Sequence, residues 1–217
     1  MAHNPMHTAQ VSSGQTAISP SDISAMVAAR ICHDLVSPLG AIGNGVELLQ
    51  ICESVSGGEL ELIAQSTANA SAKLRFFRVA FGPVSDGQRI SSTEIQSILK
   101  ALGGHQKHTL LWSCDGDLTR RQVKLAFLLL MCLETALPWG GEILVSASHG
   151  QMTLCARADR LKIDDNLWTA IRYRTPIAEL SSARIQFALA VAELQEQARN
   201  VTVHEQASSL TIDLTVE

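Results

Sequence analysis

Apolar positions recur along the chain with two periods, and the changes of period divide it. Val27, Ile31, Leu35, Leu39, Ile42, Val46 and Leu49 follow one another every three or four residues, which is one face of a helix at about 100° per residue. Ser19-Pro20-Ser21-Asp22 supplies a start signal, a proline among cap-type residues. The predicted helix runs to about Glu53, roughly 30 residues or about 45 Å at 1.5 Å per residue. A Ser56-Gly57-Gly58 turn follows. Ile63, Ala70, Leu74, Phe77 and Phe81 then repeat the helical spacing from Glu59 to Phe81, ended by Gly82-Pro83. Two long helices joined by a short turn form an antiparallel hairpin. One hairpin has a single seam and buries little by itself, so the pattern predicts a homodimer in which two hairpins make a four-helix bundle.

From about Val84 the texture alternates between the two periods. Thr93–Leu102 reads as a short helix, Thr109–Ser113 as a strand, and Thr119–Leu137 as an apolar helix stopped by Pro138 and Gly140-Gly141. Glu142–Ser148 and Met152–Ala158 read as strands around His149-Gly150, Asp164–Ile171 as a short helix or ordered loop, and Leu180–Arg199 as a helix. Val201–Glu205 and Leu210–Val216 form a terminal hairpin. The fold class expected is α+β: a disordered tail over 1–19, a helical hairpin over 20–83, and over 84–217 an α/β sandwich of helices on a mostly antiparallel sheet.

Bulk properties narrow the function classes. Hydrophobic residues make up 46% of the 217, and the formal net charge is −4, so no basic surface for nucleic acid is expected. The longest uninterrupted apolar run, Leu125–Leu133, is too short to span a bilayer, and no signal pattern opens the chain. A cytoplasmic protein without a membrane partner is the expectation. Five cysteines, none in a C-x-x-C pair, suggest neither a zinc site nor a disulfide scaffold. His105-x-x-His108 has metal-like spacing but no carboxylate or thiolate beside it in sequence, and reads as a solvated loop.

The first helix carries the candidate chemistry. His33 stands away from the apolar stripe, with Arg30, Ser37, Gly40, Asn44 and Glu47 on its own face. These are polar or very small, so an imidazole is presented outward with open space beside it. Histidines in such places are most often plain solvated side chains. Pro38, at a cost of about 3 kcal/mol in a helix interior, and the glycines at 40, 43 and 45 argue for a purpose here. Cys32 beside His33 does not form a nucleophile pair, because helix neighbours point about 100° apart.

His33-Asp34-Leu35 followed by Ser37-Pro38-Leu39 resembles the phosphoacceptor box of sensor histidine kinases, which sits on the first helix of a dimeric hairpin. The second half resembles the kinase ATP-binding domain in outline, with Leu137-Pro138-Trp139-Gly140-Gly141-Glu142-Ile143 looking like the turn after its asparagine helix. That resemblance breaks at the nucleotide. Leu129–Ala136 contains no asparagine, Asp159-Arg160-Leu161-Lys162-Ile163 lacks the glycines of Asp-x-Gly-x-Gly, and Leu180-Ser181-Ser182-Ala183-Arg184 replaces a glycine-rich phosphate cradle. The string Cys32-His33-Asp34-Leu35-Val36-Ser37-Pro38, with Gly40-Ala41-Ile42, resembles histidine phosphotransferases of the ChpT type.

The resemblance implies a bacterial phosphorelay. The receiver domain of a hybrid histidine kinase gives its phosphoryl group to His33, which passes it to response-regulator receiver domains. His33 and Asp34 are the candidate catalytic residues, with Asp34 accepting a hydrogen bond from the ring. Ser37, Gly40, Asn44 and Glu47 are the candidate docking face. Arg30 is expected to steady phosphoryl oxygens, and Arg172 and Arg174 to touch an acidic receiver surface. The chain is expected to bind no ATP, metal or other cofactor, with Mg supplied by the receiver. An active ATP-dependent histidine kinase and a non-catalytic receiver-binding scaffold stand as alternatives.

Overall fold

A computed structural model describes residues 19–51, 57–103, 107–114, 116–148 and 150–216. The tail expected over 1–19 falls almost wholly outside the described residues, as does His105.

Two long helices open the fold, α1 (Pro20–Ile51) and α2 (Gly57–Ala80). They pack along each other, and come close at Gly45, where an added Cβ would lie 2.6 Å from Ile63 Cγ1. Only a residue without a side chain admits that approach. The phase of α1 differs from the sequence expectation. Ile31, Leu35, Pro38, Ile42 and Gly45 turn inward, whereas Leu39 and Val46 are exposed. On α2, Leu74 is likewise exposed, and Phe76 and Phe77 are buried. Both helices are apolar on more than one face, so periodicity alone left the inward direction open. By length and composition α1 is also apolar enough to cross a membrane, although Arg30, Asp34 and the α2 seam interrupt its surface.

The second half begins with β1 (Arg89–Ile90), which pairs with β3 (Leu118–Thr119), a two-residue ribbon the sequence did not signal. Next come α3 (Ser92–Gly103), β2 (His108–Cys114) and α4 (Arg120–Ala136). Thr119 caps α4 through a reciprocal pairing with Gln122. The turn after α4 requires Gly141, whose φ is +147° and whose added Cβ would strike the Arg157 carbonyl oxygen. It leads into β4 (Gly141–Ser148) and β5 (Gln151–Arg157), then α5 (Asp165–Tyr173), a 3-10 turn at Ser182–Arg184, and α6 (Ile185–Glu196). The helix expected over Leu180–Arg199 is therefore shorter, because Arg184 interrupts it at φ −121° and Arg199 already belongs to β6 (Arg199–Glu205). β7 (Ser209–Val216) completes a five-stranded sheet in the order β2-β4-β5-β7-β6, antiparallel except for the β2–β4 pair.

One core joins the halves. Phe76 stacks on Phe127 of α4 at 4.5 Å, and Val79 and Ala80 are buried in the same cluster as Trp112, Leu129 and Ile143. Where α2 ends, the buried Arg120 donates to the Arg78 and Val79 carbonyls at 2.6 and 2.5 Å. Those are carbonyls of the last helical turn, which have no intrahelical donor of their own. The hairpin is thereby clamped to α4 of the second half.

Candidate functional site

α1 holds His33 out in solvent, with 85% of its side chain exposed. The ring is nonetheless oriented. His33 Nδ1 lies 3.0 Å from Asp34 Oδ1. A carboxylate only accepts, so the geometry fits Nδ1–H donating and leaves Nε2 with its lone pair facing solvent. The contact spans adjacent residues of very different exposure, His33 at 85% and Asp34 at 19%.

Asp34 is held at three points. Arg30 Nε donates to its Oδ2 at 2.8 Å. Lys73 of α2 donates to its backbone oxygen at 2.9 Å. The third contact is the imidazole itself. Arg30 also donates through Nη1 to the Ala183 carbonyl at 2.7 Å. Sequence reasoning placed Arg30 on the open face beside His33; its side chain is instead 19% exposed and committed to these two acceptors. Lys73 and Ala183 were not anticipated. The one available signal was Pro38, which stands four residues after Asp34 and cannot donate to its carbonyl, so some other donor was required.

Ser37, Gly40, Asn44 and Glu47 are all exposed along α1 below His33. A Cβ added at Gly40 or Gly43 would meet nothing within 4 Å. These glycines, unlike Gly45, answer to no packing inside this chain, and they leave a smooth strip beside the imidazole. Arg172 and Arg174 sit at the C-terminal end of α5, away from α1 in sequence and engaged with β6. Arg172 pairs with Glu205 at 3.0 Å, and Arg174, in the left-handed region at φ 54°, donates to the Arg199 carbonyl at 3.1 Å.

The helix that, by the resemblance, would carry the kinase asparagines is apolar and packed. Leu129, Leu130, Met131, Cys132 and Leu133 of α4 are buried. Burial pushes the Cys132 thiol pKa well above its ordinary value, Arg184 opposing and Glu134 adding to the shift. Glu134 lies 3.1 Å from His108 Nε2, a pair that corrects the reading of His108 as a solvated loop residue. Among the described residues, no group of three His, Cys, Asp or Glu side chains could hold a metal ion.

The family model for the histidine phosphotransferase C-terminal domain matches residues 92–209, more than half of the chain. Protein phosphotransferase ChpT of Brucella abortus (strain 2308) is 38% identical over 136 residues, covering 59% of this chain and 62% of the relative. The chain thus spans less than two thirds of that relative's length. Among solved structures, a bacterial phosphotransferase superposes with a TM-score of 0.78 at 25% identity, over 92% of this chain and 98% of the other.

Proposed function

The chain belongs to the histidine phosphotransferase C-terminal domain family, and from that premise we propose that it relays phosphoryl groups between bacterial receiver domains through His33. The observation that carries the proposal is the exposed imidazole whose Nδ1 is held by Asp34, leaving Nε2 free for a visiting macromolecule. Nε2 attacks the phosphorus of a phosphoaspartate on the receiver domain of a hybrid histidine kinase. The N–P bond forms, the P–O bond to the aspartyl group breaks, and the aspartate leaves as a carboxylate. The reverse step places the phosphoryl group on a response-regulator aspartate. Asp34 keeps the ring oriented and balances the positive charge that the ring gains.

Phosphoryl transfer depends mainly on in-line positioning and charge neutralisation. In this reading the Mg ion comes from the receiver's acidic pocket. The open strip of Ser37, Gly40, Asn44 and Glu47 takes the receiver, and Arg172 and Arg174 offer a second, basic contact. The second half is a degenerate ATPase-like domain that binds no ATP. Supporting this, the helix that would hold nucleotide is packed with leucines, and Arg30 occupies the turn that opens α6. The protein works in the cytoplasm as a homodimer. Val36, Leu39 and Val46 of α1 and Leu60 and Leu74 of α2 are exposed apolar side chains that a second hairpin covers in a four-helix bundle.

The test is a transfer assay with the full chain and a purified, phosphorylated receiver domain. Acid-labile, base-stable label is expected on His33 within the first time points, and none in His33→Ala. Labelled ATP alone is expected to leave the chain unlabelled. Label from ATP would favour an active kinase, and unchanged downstream phosphorylation in His33→Ala would favour a scaffold.

A further inference from the structure

Pro38 acts one turn upstream of itself. Without an N–H it leaves the Asp34 carbonyl with no intrahelical donor, and the Lys73 ammonium fills the vacancy at 2.9 Å. Asp34 is thus fixed to α2 through its backbone. Its side chain is fixed by Arg30, whose Nε takes Oδ2 while Nη1 takes the carbonyl of Ala183. That carbonyl belongs to the Ser182–Arg184 turn, 153 residues further along the chain, at the entrance to α6. A guanidinium offers five N–H donors in a rigid fork, so one side chain spans both acceptors. Only Oδ1 of Asp34 is left, and it meets His33 Nδ1. The contacts therefore run in one line from the turn through Arg30 and Asp34 to the imidazole.

We propose that Arg30 is a positioning residue that couples the tautomer and orientation of His33 to the seating of the Ser182–Arg184 turn against α1. While the turn is seated, the fork holds Asp34 in the one arrangement that accepts Nδ1–H and leaves Nε2 nucleophilic. When the turn lifts away, Arg30 loses one of its two anchors and Asp34 gains freedom, so the ring proton redistributes between the two nitrogens. The second half of the molecule thereby acts on the chemistry without touching the phosphoryl group. This role differs from one in which Arg30 grips the incoming phosphate, because two of its donors are already taken inside the chain. The kinetic consequence rests on the function proposed above; the tautomer does not.

The experiment uses the full chain labelled with 15N-histidine, with His33 assigned by its absence in His33→Ala. Wild-type His33 is expected to report Nδ1–H in long-range 15N–1H spectra. In Arg30→Ala the signal moves towards a mixture of tautomers, and amide exchange across Ser182–Gln186 rises. The maximal transfer rate falls about three- to tenfold, the worth of one partly exposed hydrogen bond, at an unchanged half-saturating receiver concentration. Arg30→Lys, which keeps the charge but cannot span both acceptors, restores less than half of the loss. A folded Arg30→Ala whose tautomer is unmoved overturns the proposal, as does a loss confined to the half-saturating concentration, which would make Arg30 a receiver contact. Should Arg30→Ala fail to fold, Arg30→Lys and Arg30→Gln carry the same readouts. If the wild type accepts no phosphoryl group yet its tautomer still shifts on substitution, the proposed function fails and the positioning role stands.

Discussion

Substituting Asp34→Asn removes one negative charge at nearly constant size, directly under the imidazole. The carboxylate takes His33 Nδ1–H at 3.0 Å and Arg30 Nε at 2.8 Å. In the transfer proposed above, the ring becomes cationic as Nε2 bonds to phosphorus, so the carboxylate would stabilise the transition state more than the resting protein. Two unit charges about 4 Å apart interact by about 1 kcal/mol in bulk water and about 4 kcal/mol at an effective dielectric constant near 20. The ring is 85% exposed and the carboxylate 19%, which places the pair in the lower part of that range. The opposing charge of Arg30 trims it further, leaving about 1–2 kcal/mol. At about 1.4 kcal/mol per factor of ten, transfer to Asp34→Asn is expected to slow by about 5- to 30-fold. The assay is single-turnover transfer from a phosphorylated receiver to excess chain, quenched and read as phosphohistidine. The half-saturating chain concentration should stay unchanged, because the Asp34 side chain, only 19% exposed, offers little surface to a partner. A rate within about twofold of wild type would refute the reasoning, since the charge would then be worth under about 0.5 kcal/mol. A loss as complete as that of His33→Ala, in a folded protein, would refute it from the other side.

Arg120→Met removes two charge-assisted hydrogen bonds, each worth about 1.5–3 kcal/mol, and relieves the buried guanidinium. Burial and then the neighbouring Arg78 charge already push the Arg120 pKa down, and Glu193 opposes them. The expected net loss is about 2–4 kcal/mol, or roughly 4–16 °C in Tm for a chain of this size, measured by thermal circular dichroism. Leu39→Asp, on the exposed face of α1, places a charge on both sides of the two-fold interface proposed above. Losing about 1.5–3 kcal/mol per copy weakens dimerisation by roughly two to four powers of ten, visible as a shift to monomer in light scattering after size exclusion. Iodoacetamide at about pH 8, near the ordinary thiol pKa, should alkylate the exposed Cys32 in the folded protein. Cys132, whose raised pKa keeps it a thiol there, should react only after denaturation; its modification in folded protein would contradict the packing of α4.

Local rhythm made much of the second half legible. The alternation in Glu142–Ser148 and Met152–Ala158 marks two strands that the structure extends by a residue or shifts by one. The starts read at Thr119 and Asp164 are the N-caps of α4 and α5. β1 and β3 were invisible because two-residue strands have too few positions to show a period.

What the sequence by itself determined is an outward histidine followed by an acid on a long helix, and an α+β body behind it. Nearest neighbours set those features, because helix and strand geometry convert spacing directly into direction. Tertiary structure alone decided which side of α1 faces inward, turning Arg30, Asp34 and Pro38 to the protein and leaving Leu39 and Val46 exposed. It also decided that Lys73, 39 residues from Asp34, and Ala183, 153 residues from Arg30, close the site. A helix with apolar residues on several faces has no preferred inward side until a second element packs on it. Partners that far apart meet only when the whole core brings their elements together.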